Sequence, residues 1–270
     1  MQSKKVCSFA KGIPIIEENI WNKIKFLLPQ KPENKKIGRP RHDDKLIMSG
    51  IFYLLRTGCQ WKMVPRTYGS PSTIHRRFQE WVKYGVFQLI FERILQEYDL
   101  KIGLDLDVQS IDGSLTKAPL GGEATGPNPT DRRKLGTKRS ILADADGIPI
   151  GLAVGPANMH DVNLFEKTIC SKPKNLRFED DQKICTDKGY DSEKVRSVIV
   201  TYFYLPYGRS KNPCEDVSNE QYRWVVERTF SWINRFRRIL IRWEKKLQNY
   251  VAMLQMAFVV IILQKLIILG

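Results

Sequence analysis

The chain has 270 residues, 42% of them hydrophobic and 10% aromatic, and carries 44 Lys and Arg against 29 Asp and Glu, a net charge of +15. That much apolar material excludes a disordered or fibrous chain, and the length allows one large domain or two modest ones. Five scattered cysteines (Cys7, Cys59, Cys170, Cys185 and Cys214) with no C-x-x-C pair exclude a disulfide framework and a thiolate zinc site, and fit a reducing compartment. The opening residues, MQSKKVCSFAKG, lack the apolar stretch of a signal peptide, so a soluble cytoplasmic protein is expected.

In the first hundred residues the spacing is helical. Trp21, Ile24, Leu27 and Leu28 recur at helical intervals before Pro29 ends the run, and the basic segment KPENKKIGRPRHDD reads as a loop. Asp43 or Asp44 can cap a helix carrying Leu46, Ile47, Ile51, Leu54 and Leu55, with Gly58 as its stop. After RTYGSP, Ser72 or Thr73 is the expected cap of a helix that sets Ile74, Phe78, Trp81 and Val82 on one face and leaves Arg76, Arg77 and Lys83 to solvent. Gly85 breaks that helix before another over 86–98. Two short helices across a tight turn, the second rich in Arg, resemble a helix-turn-helix. Arg76 and Arg77 are therefore either DNA contacts or surface charges of an ordinary helical hairpin.

The texture changes near residue 105. VQSID is a strand candidate ending in IDGS, and the Gly- and Pro-rich stretch to Lys138 reads as irregular. RSILADADGIPIGLAVGP is two β-rich runs joined at Asp146-Gly147, a hairpin signal. NMHDVNLFEKTI starts a helix, QKICTDKGY holds a strand, DSEKVRSVIV is helical, TYFYLP is a last strand, and 218–250 is one long helix or two. The apolar tail 251–269 is interrupted by Gln255, Gln264 and Lys265, so a buried terminal helix is expected rather than a membrane span. A hairpin followed by alternating strands and helices predicts an α/β domain, a mixed sheet flanked by helices, behind an all-α N-terminal region. The boundary falls between 1–103 and 104–270. Residues 1–103 carry a net +10, 104–210 are neutral and 211–270 carry +5. Basic ends around a neutral, acid-containing middle imply phosphate contacts at the ends and chemistry at the centre.

Three acids stand out by context. Asp112 lies at the end of the first central strand, before Gly113 and Ser114. Asp187 lies at the end of a later strand, in TDKGYDS. Glu227 shares a helical face with Arg223, Phe230 and Asn234. Strand ends are where open α/β sheets place ligands, and converging carboxylates repel one another unless a divalent cation neutralises them. Hard oxygen donors suit Mg²⁺ or Mn²⁺. The competing reading is a set of turn aspartates plus an Arg223–Glu227 salt bridge. His160-Asp161 suggests a base or metal pair, but three histidines without H-x-x-x-H spacing make zinc chemistry unsuitable, so His160 reads as a helix-start residue. Asp144 and Asp146 read as hairpin residues.

IDGS, TDKGYDS and the R-x-x-x-E helix, in this order, resemble the DDE transposases of bacterial insertion sequences, in the group of insertion sequences four and five. W-x-x-I-x-x-LLP, GRPRHDD, GIFYLLRTGCQWKMVP and RRFQEW resemble that group's helical N-terminal region, and GIPIGLAVGPANMHD its mid-domain hairpin. The resemblance implies an RNase H-like fold, with Asp112, Asp187 and Glu227 as catalytic ligands of two Mg²⁺ ions, Mn²⁺ being a possible substitute. It implies a metal-dependent DNA endonuclease and strand transferase for transposition. Such an enzyme cleaves phosphodiester bonds at element ends and joins the 3′-hydroxyls to target DNA. Its partners would be double-stranded DNA and further copies of itself, a homodimer or higher in the synaptic complex, with no membrane and a nucleoid-associated location when bound. The alternative is a catalytically inactive, domesticated or decayed DNA-binding protein of the same fold. Candidate DNA contacts are Arg76, Arg77, Arg132, Arg133, Lys138, Lys188, Arg223, Arg235 and Arg238. One departure concerns the C-terminal signature, where Glu220 stands at the family's Tyr position, with Tyr222 nearby, and Asn234 at its Lys position.

Overall fold

The computed structural model describes residues 7–10, 13–29, 40–174, 176, 181–207 and 223–269. Most of the basic loop after Pro29, together with Glu220 and Tyr222, lies outside them. A short antiparallel hairpin, β1 (Cys7–Ala10) and β2 (Ile13–Ile16), stands before the helices, which the all-α expectation did not include. Next come α1 (Glu18–Ile24), α2 (Asp44–Thr57), α3 (Pro71–Lys83) and α4 (Val86–Lys101).

The helix ends follow from their residues. Asp43 caps α2 by accepting from the Lys45 N–H, and Gly58 closes it in the left-handed region at φ 70°. A side chain at Gly58 would also press within 2.8 Å of the Arg237 Cβ. The cap of α3 is Ser70 rather than Ser72 or Thr73, because Pro71 takes the first helical position and lets Ser70 accept from the Thr73 N–H. Ile74, Phe78 and Trp81 are buried at helical spacing, as expected.

Behind the helices runs a mixed sheet. Its strands are β3 (Val108–Lys117), β4 (Gly126–Pro127), β5 (Leu135–Ala143), β6 (Pro149–Pro156), β7 (Lys183–Cys185) and β8 (Leu205–Pro206). The order is β6-β5-β3-β7-β8, with β4 added to the end of β5. β3, β5 and β6 form an antiparallel meander, and β7 and β8 join it in parallel. This is the strand order of an RNase H-like sheet. The Gly-rich stretch is more regular than expected, since its ends extend β3 and β5 and its middle supplies β4.

Helices cover both faces. α5 (Val162–Cys170) reaches β5 through Thr168, whose hydroxyl donates to the Ser140 Oγ at 2.8 Å. α7 (Arg223–Ile233) and the Asn234 that follows it reach the next residue, Arg139, whose guanidinium donates to the Asn234 Oδ1 at 3.1 Å. Neighbouring strand residues face opposite ways, so α5 and α7 lie on opposite sides of β5. α6 (Glu193–Thr201) packs beside α5.

After the short α8 (Arg237–Leu240), α9 (Leu247–Leu269) is apolar all round and is buried accordingly. It packs on α2, α3, α4, α7 and β6, joining helical layer and sheet in one core. By length and composition it could cross a membrane, but 67% of its apolar window is buried inside the protein.

Candidate active site

β3 makes the site by being longer than its neighbour. β5 pairs with it as far as Lys117, whereas the β7 ladder ends at Ser110 opposite Cys185. Asp112 is therefore not at the end of its strand, as the sequence suggested, but just past the end of one ladder, on an open strand edge. Asp187 lies two residues beyond Cys185, past the end of the same ladder, near enough for its charge to act on Asp112. The Asp187 carboxylate accepts from the Lys188 N–H at 2.8 Å and caps a 3-10 turn over Lys188–Tyr190.

Glu227 comes from α7, which is pinned to the turn between β5 and β6. The Arg228 guanidinium donates to the Asp146 carbonyl at 2.5 Å and the Thr229 hydroxyl to the Gly147 carbonyl at 2.7 Å. Gly147 adopts φ 81°, and a Cβ there would sit 3.0 Å from the Thr229 Oγ1, so the turn needs glycine both for its bend and for the helix. Asp144 ends β5 as a turn residue, accepting from the N–H groups of Asp146 and Ile148.

Electrostatics ties these residues together. Burial pushes the Asp112 carboxyl up to about 6, against a hydrogen bond from the Gly113 N–H, and the charges of Asp161, Asp187 and Glu227 push it the same way. Tyr190, buried beneath, is raised by burial and by Asp112, Asp161 and Asp187. Four carboxylates thus surround one strand edge, closely enough for each to act on Asp112. Among the described residues, no three His, Cys, Asp or Glu side chains are close enough together to hold a metal ion. The donors are carboxylate oxygens, the hard kind that suits a divalent cation, but they do not converge closely enough to hold one in this structure.

The candidate DNA contacts divide by exposure. Arg76, Arg132, Arg133, Lys188 and Arg235 are exposed. The Arg223 side chain lies outside the described set. Arg77 is buried, contrary to its expected solvent position, because it faces Asp44 and Glu80 at 3.3 Å each. Arg238 is likewise buried, donating to Glu244 at 2.6 Å and to the Cys59 carbonyl at 3.0 Å. Lys138 is buried against Asp161 at 2.8 Å. These three cations serve internal partners in this structure.

Sequence reasoning missed two residues. Asp161 passed as a helix-start neighbour, although the HD pair at the start of a helix was a signal. Arg139, which opens the β-rich run RSILADADG, is fully buried between Ser114 and Asn234, 5.9 Å from the centre of the Phe230 ring. A lysine at position 234 would set a second cation against that guanidinium, which explains the asparagine in physical terms.

Two family models match most of the chain. Residues 16–91 match the family described as "Putative transposase of IS4/5 family (DUF4096)", and residues 103–262 match "Transposase DDE domain". A Burkholderia cepacia protein described as "Putative transposase for insertion sequence element IS402" is 36% identical over 141 residues, covering 50% of this chain and 67% of that one. Among solved structures, the Mos1 transposase paired-end complex with left transposon end aligns at 11% identity and a TM-score of 0.30, over 86% of this chain and 81% of that one. The Mos1 mariner paired-end complex with Mn aligns at 12% and 0.30, over 90% and 86%. On the two family matches, which together span both the helical layer and the sheet, this chain belongs to the DDE transposases of the IS4/5 family.

Proposed function

We propose that the protein cleaves phosphodiester bonds at the ends of an insertion sequence and joins the freed 3′-hydroxyls to target DNA. The observation that supports this reading is that Asp187 and Glu227, from two other elements, both act by charge on the Asp112 carboxyl of β3. These three would hold two Mg²⁺ ions, or Mn²⁺ in their place. When bound, the metal supplies Lewis acidity at the phosphodiester oxygens. The chain's own work is alignment and charge. Lys188, exposed beside Asp187, would contact a phosphate, and the exposed Arg76, Arg132, Arg133 and Arg235 would meet DNA backbone. On this reading residues 1–103 are the DNA-binding region and 104–270 the catalytic domain. Two element ends require two active sites, hence a homodimer or larger assembly in the synaptic complex. The setting would be the cytoplasm, on the nucleoid when DNA is bound.

The inactive DNA-binding reading has one specific observation in its favour, that the described carboxylates do not close into a metal-holding group. A strand-cleavage assay on DNA carrying the element's ends, in Mg²⁺ or EDTA, separates the two readings. Metal-dependent nicking by the wild type that is lost in Glu227→Gln supports the enzyme. Binding without cleavage in Mg²⁺ and in Mn²⁺ sinks it.

A further inference from the structure

Where the helical layer meets the far end of the sheet lies a cavity of about 490 Å³. That is inside the range of ~300–1,000 Å³ typical of small-molecule sites. Trp61 and His75 reach it from the helical layer, Leu120 from the loop after β3, and Trp243, Glu244 and Lys245 from the approach to α9. Trp243 follows Arg242, whose N–H donates to the Lys117 carbonyl, so the cavity lies off the end of β3, beyond Asp112 along the strand.

Its lining combines three chemistries. Trp61 is half-buried, with its ring fixed against His75 at 4.9 Å and Phe78 at 5.2 Å, while Trp243 and Leu120 keep 38% and 53% of their surface exposed. Glu244 is 6% exposed, and its two oxygens are treated unequally. Oε1 accepts from the Arg238 Nε at 2.6 Å, whereas Oε2 is buried with no hydrogen-bond partner among the described residues. A carboxylate oxygen so placed costs free energy until a donor reaches it. The ion pair with Arg238 explains one oxygen, but neither the second nor the exposed tryptophan beside it. The surroundings are basic as well. Burial, then the charges of Arg238 and Lys246, hold the His75 imidazole below its ordinary range, and Lys245 is exposed at the same cavity.

An occupant that answers all of this offers a flat face to tryptophan, N–H donors on its edge to Glu244 and an anionic group to the cations. An arginine side chain has the first two but carries the wrong charge. A nucleotide has all three. Among the bases, guanine sets N1–H and N2–H side by side on its pairing edge, where either can reach a single oxygen. We propose that this cavity is a guanine-nucleotide site, in which tryptophan takes the face of the base, Glu244 its pairing-edge N–H groups and Lys245 the phosphate. The base comes from a free nucleotide or from an unpaired guanine in DNA, and only the second source rests on the DNA-cleaving function proposed above.

The test is calorimetric titration of the full chain with guanosine 5′-monophosphate in EDTA, with circular dichroism to confirm folding of each variant. Glu244 is probed from the ligand side, since replacing it would strand the buried Arg238. Guanosine 5′-monophosphate should bind about tenfold more tightly than its analogue methylated at N1 and lacking the N2 amine. Trp243→Leu, a change at an exposed position, should weaken binding about tenfold. No saturable binding, equal affinity for nucleotide and analogue, or unchanged affinity in Trp243→Leu overturns the proposal. Competition then separates the sources. A duplex with one bulged guanine that displaces the nucleotide where the fully paired duplex does not makes DNA the source, and equal displacement by both leaves the free nucleotide. Because EDTA removes divalent cations, a failure here is distinct from a failure of the cleavage reading.

Discussion

Arg242 and Asp112 are both largely buried charged residues attached to β3, one at its far end and one midway, and their surroundings differ in kind. Arg242, whose N–H donates to the Lys117 carbonyl, spends its guanidinium on the carbonyls of Glu123, Ala124 and Glu244 and on the Thr137 hydroxyl. Close by, Arg238 and Glu244 pair at 2.6 Å. Here the loop after β3, β5 and the start of α9 are tied together by groups of opposite charge and by carbonyls, although the Glu244 Oε2 is buried without a hydrogen-bond partner among the described residues. Around Asp112 the charges are mostly of one sign, and one buried carboxylate oxygen goes unanswered. The first region sets opposite charges together, whereas the second sets carboxylates near one another, each raising the Asp112 carboxyl.

The sharpest way to break this comparison is Arg242→Ala. It orphans several buried carbonyls and should cost about 3 kcal/mol or more in urea unfolding. A loss below about 1 kcal/mol would mean that the joint is not what holds helices to sheet.

Asp144 offers a control outside the site, since burial pushes its carboxyl up to about 8 from an ordinary 3.8. The folded state therefore keeps a proton that the unfolded state releases. The stability linked to it is full below the ordinary value and is lost as pH rises toward 8, by up to about 1.4 kcal/mol per pH unit. Asp144→Asn should remove that slope, as read from unfolding midpoints at pH 4, 6 and 8.

Gly113→Ala should cost about 1–3 kcal/mol through overpacking against Asp161, and most of that cost should vanish in an Asp161→Ala background. Additive losses in the double-mutant cycle would show that the two residues do not touch. Asp112→Asn should have the opposite sign from Arg242→Ala, stabilising the metal-free protein by about 1 kcal/mol because it relieves carboxylate crowding. A destabilised Asp112→Asn would place Asp112 among the structural residues. Smallest in stability is Arg76→Ala, expected within about 0.5 kcal/mol of wild type, while its DNA affinity should fall across all sequences and its salt slope by about one. Unchanged DNA binding in that variant would take Arg76 off the interface.

Much of this was legible in the residues. Asp43 and Gly58 marked the ends of α2 because caps act locally, through one side chain and one backbone angle. Asp146-Gly147 marked the hairpin turn for the same reason. Asp112, Asp187 and Glu227 stood out because their motifs are short and ordered along the chain. Burial of charge was not legible. Arg76 and Arg77 are adjacent on α3, and only the approach of α2 with Asp44 buries one of them. Nor did the cap of α3 follow from its residue types alone, since Ser70, Ser72 and Thr73 are all competent and Pro71 decided among them.

By itself, the sequence determined the helical layer, the hairpin and the family, properties that short ordered motifs carry. Only the tertiary structure decided that β3 outruns β7 and leaves an open edge, that α9 closes helices and sheet into one core, and that Asp161 fills the space over Gly113. Those depend on which distant segments meet, and the pairing of strands and the packing of helix faces are set by the whole chain at once. The carboxylate at position 161 was in plain view as HD, but its approach to β3 depended on a glycine forty-eight residues earlier.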